Sequence, residues 1–293
     1  MLLKNYNNNR EYDVHGPVYE NQTTKVWCGT CIIADNKAAF VKILKYGEIE
    51  DSNIRRELLE VSVQEANTLK KIKECSSKVP HIIDAWDDKK KRQYIIVMTQ
   101  VPGVSLREWL NSHKKDVLDA KDVFVRVKII QQLCEIMRDL TNKNSWLVHR
   151  DLKPENVYIN FNKKEKKWDV YIIDFGCANL NHIRRVGTTN YQAPEQIGIK
   201  DSGVKISSSV DMFAIGQIFY ELLLGRAPIV GEDYTYKAKD TEWKQVPEFS
   251  ENLLKIKGIT SLYDTVKKMT AFRSEQRLTF GRAITSLRNV RIG

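Results

Sequence analysis

The chain has 293 residues, of which 42% are apolar and 29% charged, and a formal net charge of +10. That composition is one of a globular protein able to bury a large core. It excludes a disulfide scaffold, because five cysteines leave one odd and nothing marks a secretory context, so reduced thiols in a cytoplasm are expected. No apolar run reaches about 18 residues, so no membrane segment is expected, and because "MLLKNYNNNREYD" turns polar at once no signal peptide is expected. Basic residues fall in short clusters at 89–92 and 163–167 that read as solvated turns, and no nucleic-acid partner is expected.

In chain order, apolar residues on both sides of "VYENQTTKVWCGT" (18–30) predict a strand, a turn and a second strand. Cys28 and Cys31 form a C-x-x-C, but no second pair or nearby histidine completes a zinc site. Residues 31–44 read as a hairpin turning at Asp35-Asn36. A helical pattern runs over 53–73, and "QYIIVMTQV" (93–101) predicts another strand. Pro102-Gly103 marks a boundary, after which helices dominate. Val123, Val127, Ile130, Cys134 and Met137 share one face of a long helix. "SVDMFAIGQIFYELLLG" (209–225) is apolar nearly all round, which predicts a buried helix stopped by Gly225.

Chemistry-bearing residues concentrate between 148 and 195. The runs 157–161 and 169–174 predict an antiparallel hairpin turning near Glu165, with Asn156 and Asp174 opposite each other at its open end. An amide oxygen beside a carboxylate suits Mg²⁺. Asp151, in the loop feeding that end, is placed to accept a proton from an attacking hydroxyl, and Lys153 adds a cation.

These segments resemble the catalytic core of eukaryotic-type (Hanks-type) protein kinases. "HRDLKPEN" (149–156) and "DFG" (174–176) match that family letter for letter, and "GTTNYQAPE" (187–195) matches its substrate-loop segment. The resemblance runs from about residue 18 to 288. It implies an α+β bilobal fold, a single kinase domain over 1–293. A small β-rich N-lobe (1–101) and a larger, mainly helical C-lobe (102–293) would hold the active site between them. The implied activity is transfer of the γ-phosphoryl group of ATP to protein substrates. Asp151 is the implied base, Lys153 approaches the phosphoryl group, and Asn156 and Asp174 hold Mg²⁺. The ATP-binding lysine is Lys42 of "FVKIL". Its expected partner is Glu65, with Glu57 and Glu60 as competitors. Val26, Phe40, Met98, Thr99 and Val101 complete the implied nucleotide site, Thr99 and Val101 through their backbones. Asp211 matches the family's buried aspartate beneath the catalytic loop, and Arg277 the arginine that pairs with Glu195. Lys153 and Thr188 resemble the serine/threonine-specific branch, and "APEQ" resembles bacterial members.

Two departures stand out. Aligning Val26 with the valine of the family's G-x-G-x-x-G-x-V loop puts Tyr19, Asn21 and Thr24 where glycines belong, leaving Thr24 and Gln22 as side-chain donors to phosphate. Phe40 replaces a small residue over the adenine, where the ring either stacks or crowds. Both favour a second reading, a pseudokinase scaffold with weakened nucleotide binding. Between Gly176 and Gly187, "CANLNHIRRV" holds no phosphorylatable residue that Arg150 could bind. Thr189 and Tyr191 remain as late candidates, and Arg184 and Arg185 read as a solvated pair. Activity without loop phosphorylation is therefore expected, with any control coming from a regulatory protein partner or another region.

Overall fold

The structure, a computed structural model, describes residues 1–21, 26–32, 38–178, 187–197, 206–226 and 249–293; at 17–19, 26–28 and 32 it describes the backbone alone. The Asp35-Asn36 turn, Gln22, Thr24, Arg184 and Arg185 lie outside these residues. The described chain divides into two compact units, Met1–Val101 with Asp174–Gly176, and Pro102–Ile173 with Cys177–Gly293.

The first unit is built on six antiparallel strands: β1 (Leu2–Asn5), β2 (Arg10–Asn21), β3 (Val26–Ile32), β4 (Ala38–Leu44), β5 (Ile82–Asp88) and β6 (Gln93–Thr99), in the spatial order β1-β2-β3-β4-β6-β5. Along β4 the period of two sends Ala39, Val41 and Ile43 into a core shared with Leu3, Tyr12, Val14, Trp86, Ile95 and Val97. Phe40 and Lys42 alternate with them and are only half-buried. Helix α1 (Ser52–Ile72) starts at Asp51, whose carboxylate caps the N–H groups of Asn53 and Ile54, and it buries Glu65, Ala66, Leu69 and Ile72.

The β1–β2 hairpin and β5 are not visible in the sequence pattern. β1 has four residues and buries two, Leu3 and Asn5, the second of them polar. What Asn5 meets explains it. Its Nδ2 donates to both carboxylate oxygens of Asp84, at 3.0 Å each, and the Tyr12 hydroxyl donates to Asp84 Oδ2 at 2.9 Å. Tyr12 also stacks on Trp86, with 5.8 Å between ring centroids. Asp84 and Trp86 lie on β5, the opposite edge of the sheet, so the sheet curls until its two outer strands meet. Burial beside Asp84 pushes the Tyr12 hydroxyl up to about 12.

The second unit packs α2 (Leu106–Ser112), α3 (Ala120–Lys143), α4 (Pro194–Ile197), α5 (Ser209–Leu224), α6 (Glu251–Leu254), α7 (Ile259–Met269) and α8 (Phe280–Asn289) with a small sheet of β7 (Val104–Ser105), β8 (Val157–Asn162) and β9 (Lys167–Ile172). The predicted face of α3 is buried, and a capping box joins Asp119 to Asp122 at its start. α5 is buried from Val210 to Leu223 and ends at Gly225, whose φ of 72° is the left-handed conformation that closes a helix.

Candidate active site

In the first unit, β4 presents Lys42 and α1 presents Glu65. Lys42 Nζ lies 2.7 Å from Glu65 Oε2 and 3.2 Å from Asp174 Oδ1. Glu57 and Glu60 are exposed, so helical phase picks out Glu65 from the three candidates. Burial raises the Glu65 carboxyl above the ordinary value, opposed by the attraction of Lys42. Asp174 holds a left-handed backbone, φ 61°, a strained state for a non-glycine residue. The cross-strand register puts Phe40 opposite Met98 on one side and Thr30 on the other.

Of the two residues expected to offer backbone groups to adenine, Thr99 has already spent its N–H on His81 O at 2.9 Å. Among the described residues no backbone hydrogen bond involves Val101. Tyr19 and Asn21 are strand residues paired with Cys28 and Val26. Their extended backbone is open to any residue, so neither position requires glycine.

In the second unit, α5 organises the catalytic segment. The buried Asp211 carboxylate accepts the His149 N–H at 2.9 Å and the Arg150 N–H at 2.8 Å. These bonds hold Arg150 at a left-handed φ of 69°. Asp151 follows. Its Oδ1 accepts the Thr188 hydroxyl at 2.8 Å, its Oδ2 lies 2.9 Å from Lys153 Nζ, and Lys153 also donates to Thr188 Oγ1 at 2.8 Å. Asn156 Nδ2 donates to the Asp151 carbonyl at 2.9 Å, which turns the amide's oxygen away from that loop. Gly187 lets the segment carrying Thr188 pass close by: a Cβ there would stand 2.9 Å from Arg150 O, at a φ of 118°.

One placement differs from the sequence expectation. The β8–β9 ladder pairs Val157 with Ile172, and the Ile173 N–H donates to Asn156 O at 2.9 Å. The residue across from Asn156 is therefore Ile173 rather than Asp174, because the turn is centred half a residue before Glu165. Tyr191 is corrected too. It is buried; its hydroxyl donates to Glu221 and accepts from Arg107 Nη2 at 2.9 Å, while Arg107 Nε holds Glu155 at 2.7 Å. A hydroxyl so enclosed is no acceptor for phosphate, which leaves Thr189, exposed, as the late candidate. Arg107 carried no sequence signal, since its partners lie 48 and more residues away.

The protein kinase domain family matches residues 26–287. The chain belongs to the protein kinase family. Several of its curated relatives are serine/threonine kinases. The probable serine/threonine-protein kinase nek2 of Dictyostelium discoideum is 24% identical over 73% of this chain and 51% of its own length. Serine/threonine-protein kinase PrkC of Bacillus subtilis is 28% identical over 71% of this chain and 29% of its own. Serine/threonine-protein kinase 33 of Bos taurus is 29% identical over 75% and 52%. The chain thus spans about half, or less, of the length of these relatives. Among the described residues, no helix of this kinase is long and apolar enough to cross a membrane.

Proposed function

We propose that the chain transfers the γ-phosphoryl group of ATP to serine or threonine hydroxyls of protein substrates. The observation that carries this reading is the Asp151–Lys153–Thr188 cluster. A hydroxyl already stands at hydrogen-bond distance from the Asp151 carboxylate, the contact a general base needs. Asp151 accepts the proton of the attacking hydroxyl, and Lys153 neutralises charge that builds on the transferred group. Lys42, steadied by Glu65, offers its ammonium to the nucleotide phosphates.

Asn156 and Asp174 are the magnesium ligands in this reading. The fit is chemical: both offer hard oxygen, and the Asn156 amide nitrogen is spent on Asp151, so its oxygen is the group left to a cation. Magnesium, when bound, shields the phosphate charge. In this reading Met98, Val101 and the Thr99 carbonyl serve the adenine. The place of action is the cytoplasm, in keeping with reduced thiols at Cys31 and Cys134, and any control comes from a partner or another region.

The test is incubation with labelled ATP, Mg²⁺ and a general protein substrate. Asp151→Asn is expected to lower turnover by about 10²–10⁴-fold with the melting temperature unchanged. Equal activity of the two proteins defeats the assignment. The pseudokinase reading, favoured by Phe40 on the face of Lys42, predicts instead no Mg²⁺-dependent thermal stabilisation by ATP.

A further inference from the structure

At the end of the β8–β9 hairpin far from Asn156, Phe161 and Trp168 form a cross-strand pair, with ring centroids 5.2 Å apart. Phe161 is 45% exposed. The aromatic surface continues inward, because Trp168 meets Trp109 at 5.9 Å and Trp109 stacks on His113 at 4.7 Å. Cations flank it on two sides. The hairpin turn carries Lys163, Lys164 and Lys166, and the end of α2 leads through exposed His113 to Lys114. Among the described residues these four lysines make no ion pair, whereas Lys115 and Lys167 are neutralised by Asp122 and Glu165. An exposed aromatic ring costs free energy in water, and unpaired like charges side by side repel one another. Both costs fall when an acidic chain with an apolar anchor covers the patch.

We propose that this surface docks an acidic segment of a protein substrate, with an aromatic side chain of that segment seated against Phe161 and Trp168 and its carboxylates on the lysines. Phe161, on β8, lies five residues beyond Asn156, so at roughly 3.3 Å per residue the patch stands about 17 Å along the hairpin from the catalytic loop. A docked segment would raise the effective concentration of a hydroxyl tethered to it. The proposal takes its purpose from the kinase reading, but its geometry is independent of that reading.

The probe is a short synthetic peptide in which glutamates flank a single phenylalanine, titrated into the whole chain without nucleotide and followed by calorimetry. Saturable binding that weakens at high salt is expected. Phe161→Ala should weaken it about tenfold, and Lys163→Glu with Lys164→Glu at least as much, each variant keeping the wild-type melting temperature. Replacing the peptide's phenylalanine by alanine should match the Phe161→Ala loss. Absence of binding, equal binding of a lysine-flanked peptide, or indifference to both variants would overturn the proposal. So would binding to phosphatidylserine vesicles with none to the peptide. Peptide binding by a chain that proves unable to transfer phosphate would sink the catalytic reading and leave this one standing.

Discussion

Two ion pairs, one in each unit, use similar charges in opposite ways. Arg277 and Glu195 join as a two-pronged pair at 2.6 and 2.7 Å, and their side chains are 0% and 3% exposed. Arg277 also donates to the carbonyls of Ala271, Phe272 and Ser209, so every branch of the guanidinium is engaged. Lys42 is a point charge, 21% exposed, divided between buried Glu65 and an Asp174 side chain that is 42% exposed. The first pair has no capacity left for a ligand and serves the scaffold. The second keeps a half-buried cation beside a carboxylate whose ionisation is costly, and in the proposed function that cation meets the nucleotide phosphates.

Breaking the first pair should have the largest effect on stability. Arg277→Ala leaves Glu195 buried without its counter-charge and is expected to destabilise by about 3–5 kcal/mol, read from the denaturant midpoint. A loss below about 1 kcal/mol would place Arg277 among ordinary surface charges.

Lys42→Met should separate the two pairs. The fold survives, and nucleotide binding is lost. With the opposing attraction gone, the Glu65 carboxyl rises further above its ordinary value. A carboxyl raised in the folded state binds its proton more tightly there than when unfolded. Its contribution is therefore fully present below about pH 4.3 and is lost as pH rises through the folded value. The variant should lose stability relative to wild type between acid and neutral pH, by about 1.4 kcal/mol for each unit of further shift. Adding Glu65→Gln should abolish that slope, and a slope that persists would assign the titration elsewhere.

Phe40→Ala tests a smaller contribution. It removes the ring that shares a face with Lys42, and ATP affinity should move by about 0.5–1.5 kcal/mol. Weaker binding means the ring stacks, and tighter binding means it crowds. Calorimetry showing no change would remove Phe40 from the nucleotide site. The smallest effect is expected from phosphatase. Activity should persist once mass spectrometry shows Thr189 unmodified, and loss that is restored by phosphate on Thr189 would contradict the reading of this loop.

The motif residues were legible because each carries its own chemistry at fixed spacing. Asp151, Lys153, Asn156 and Asp174 could be named before any coordinate. The period of two put Phe40 with Lys42, and the apolar run 209–225 announced a buried helix, since local periodicity follows from backbone geometry alone. Tertiary packing decided what periodicity leaves degenerate. It set the hairpin register that puts Ile173 opposite Asn156, and enclosed Tyr191 with Arg107 and Glu221. It also made strands of Leu2–Asn5 and Ile82–Asp88, where the deciding partner of Asn5 is a carboxylate 79 residues away. A short segment with one buried polar residue has no pattern of its own. Its stability comes from a hydrogen-bond acceptor that only the closed sheet brings within reach.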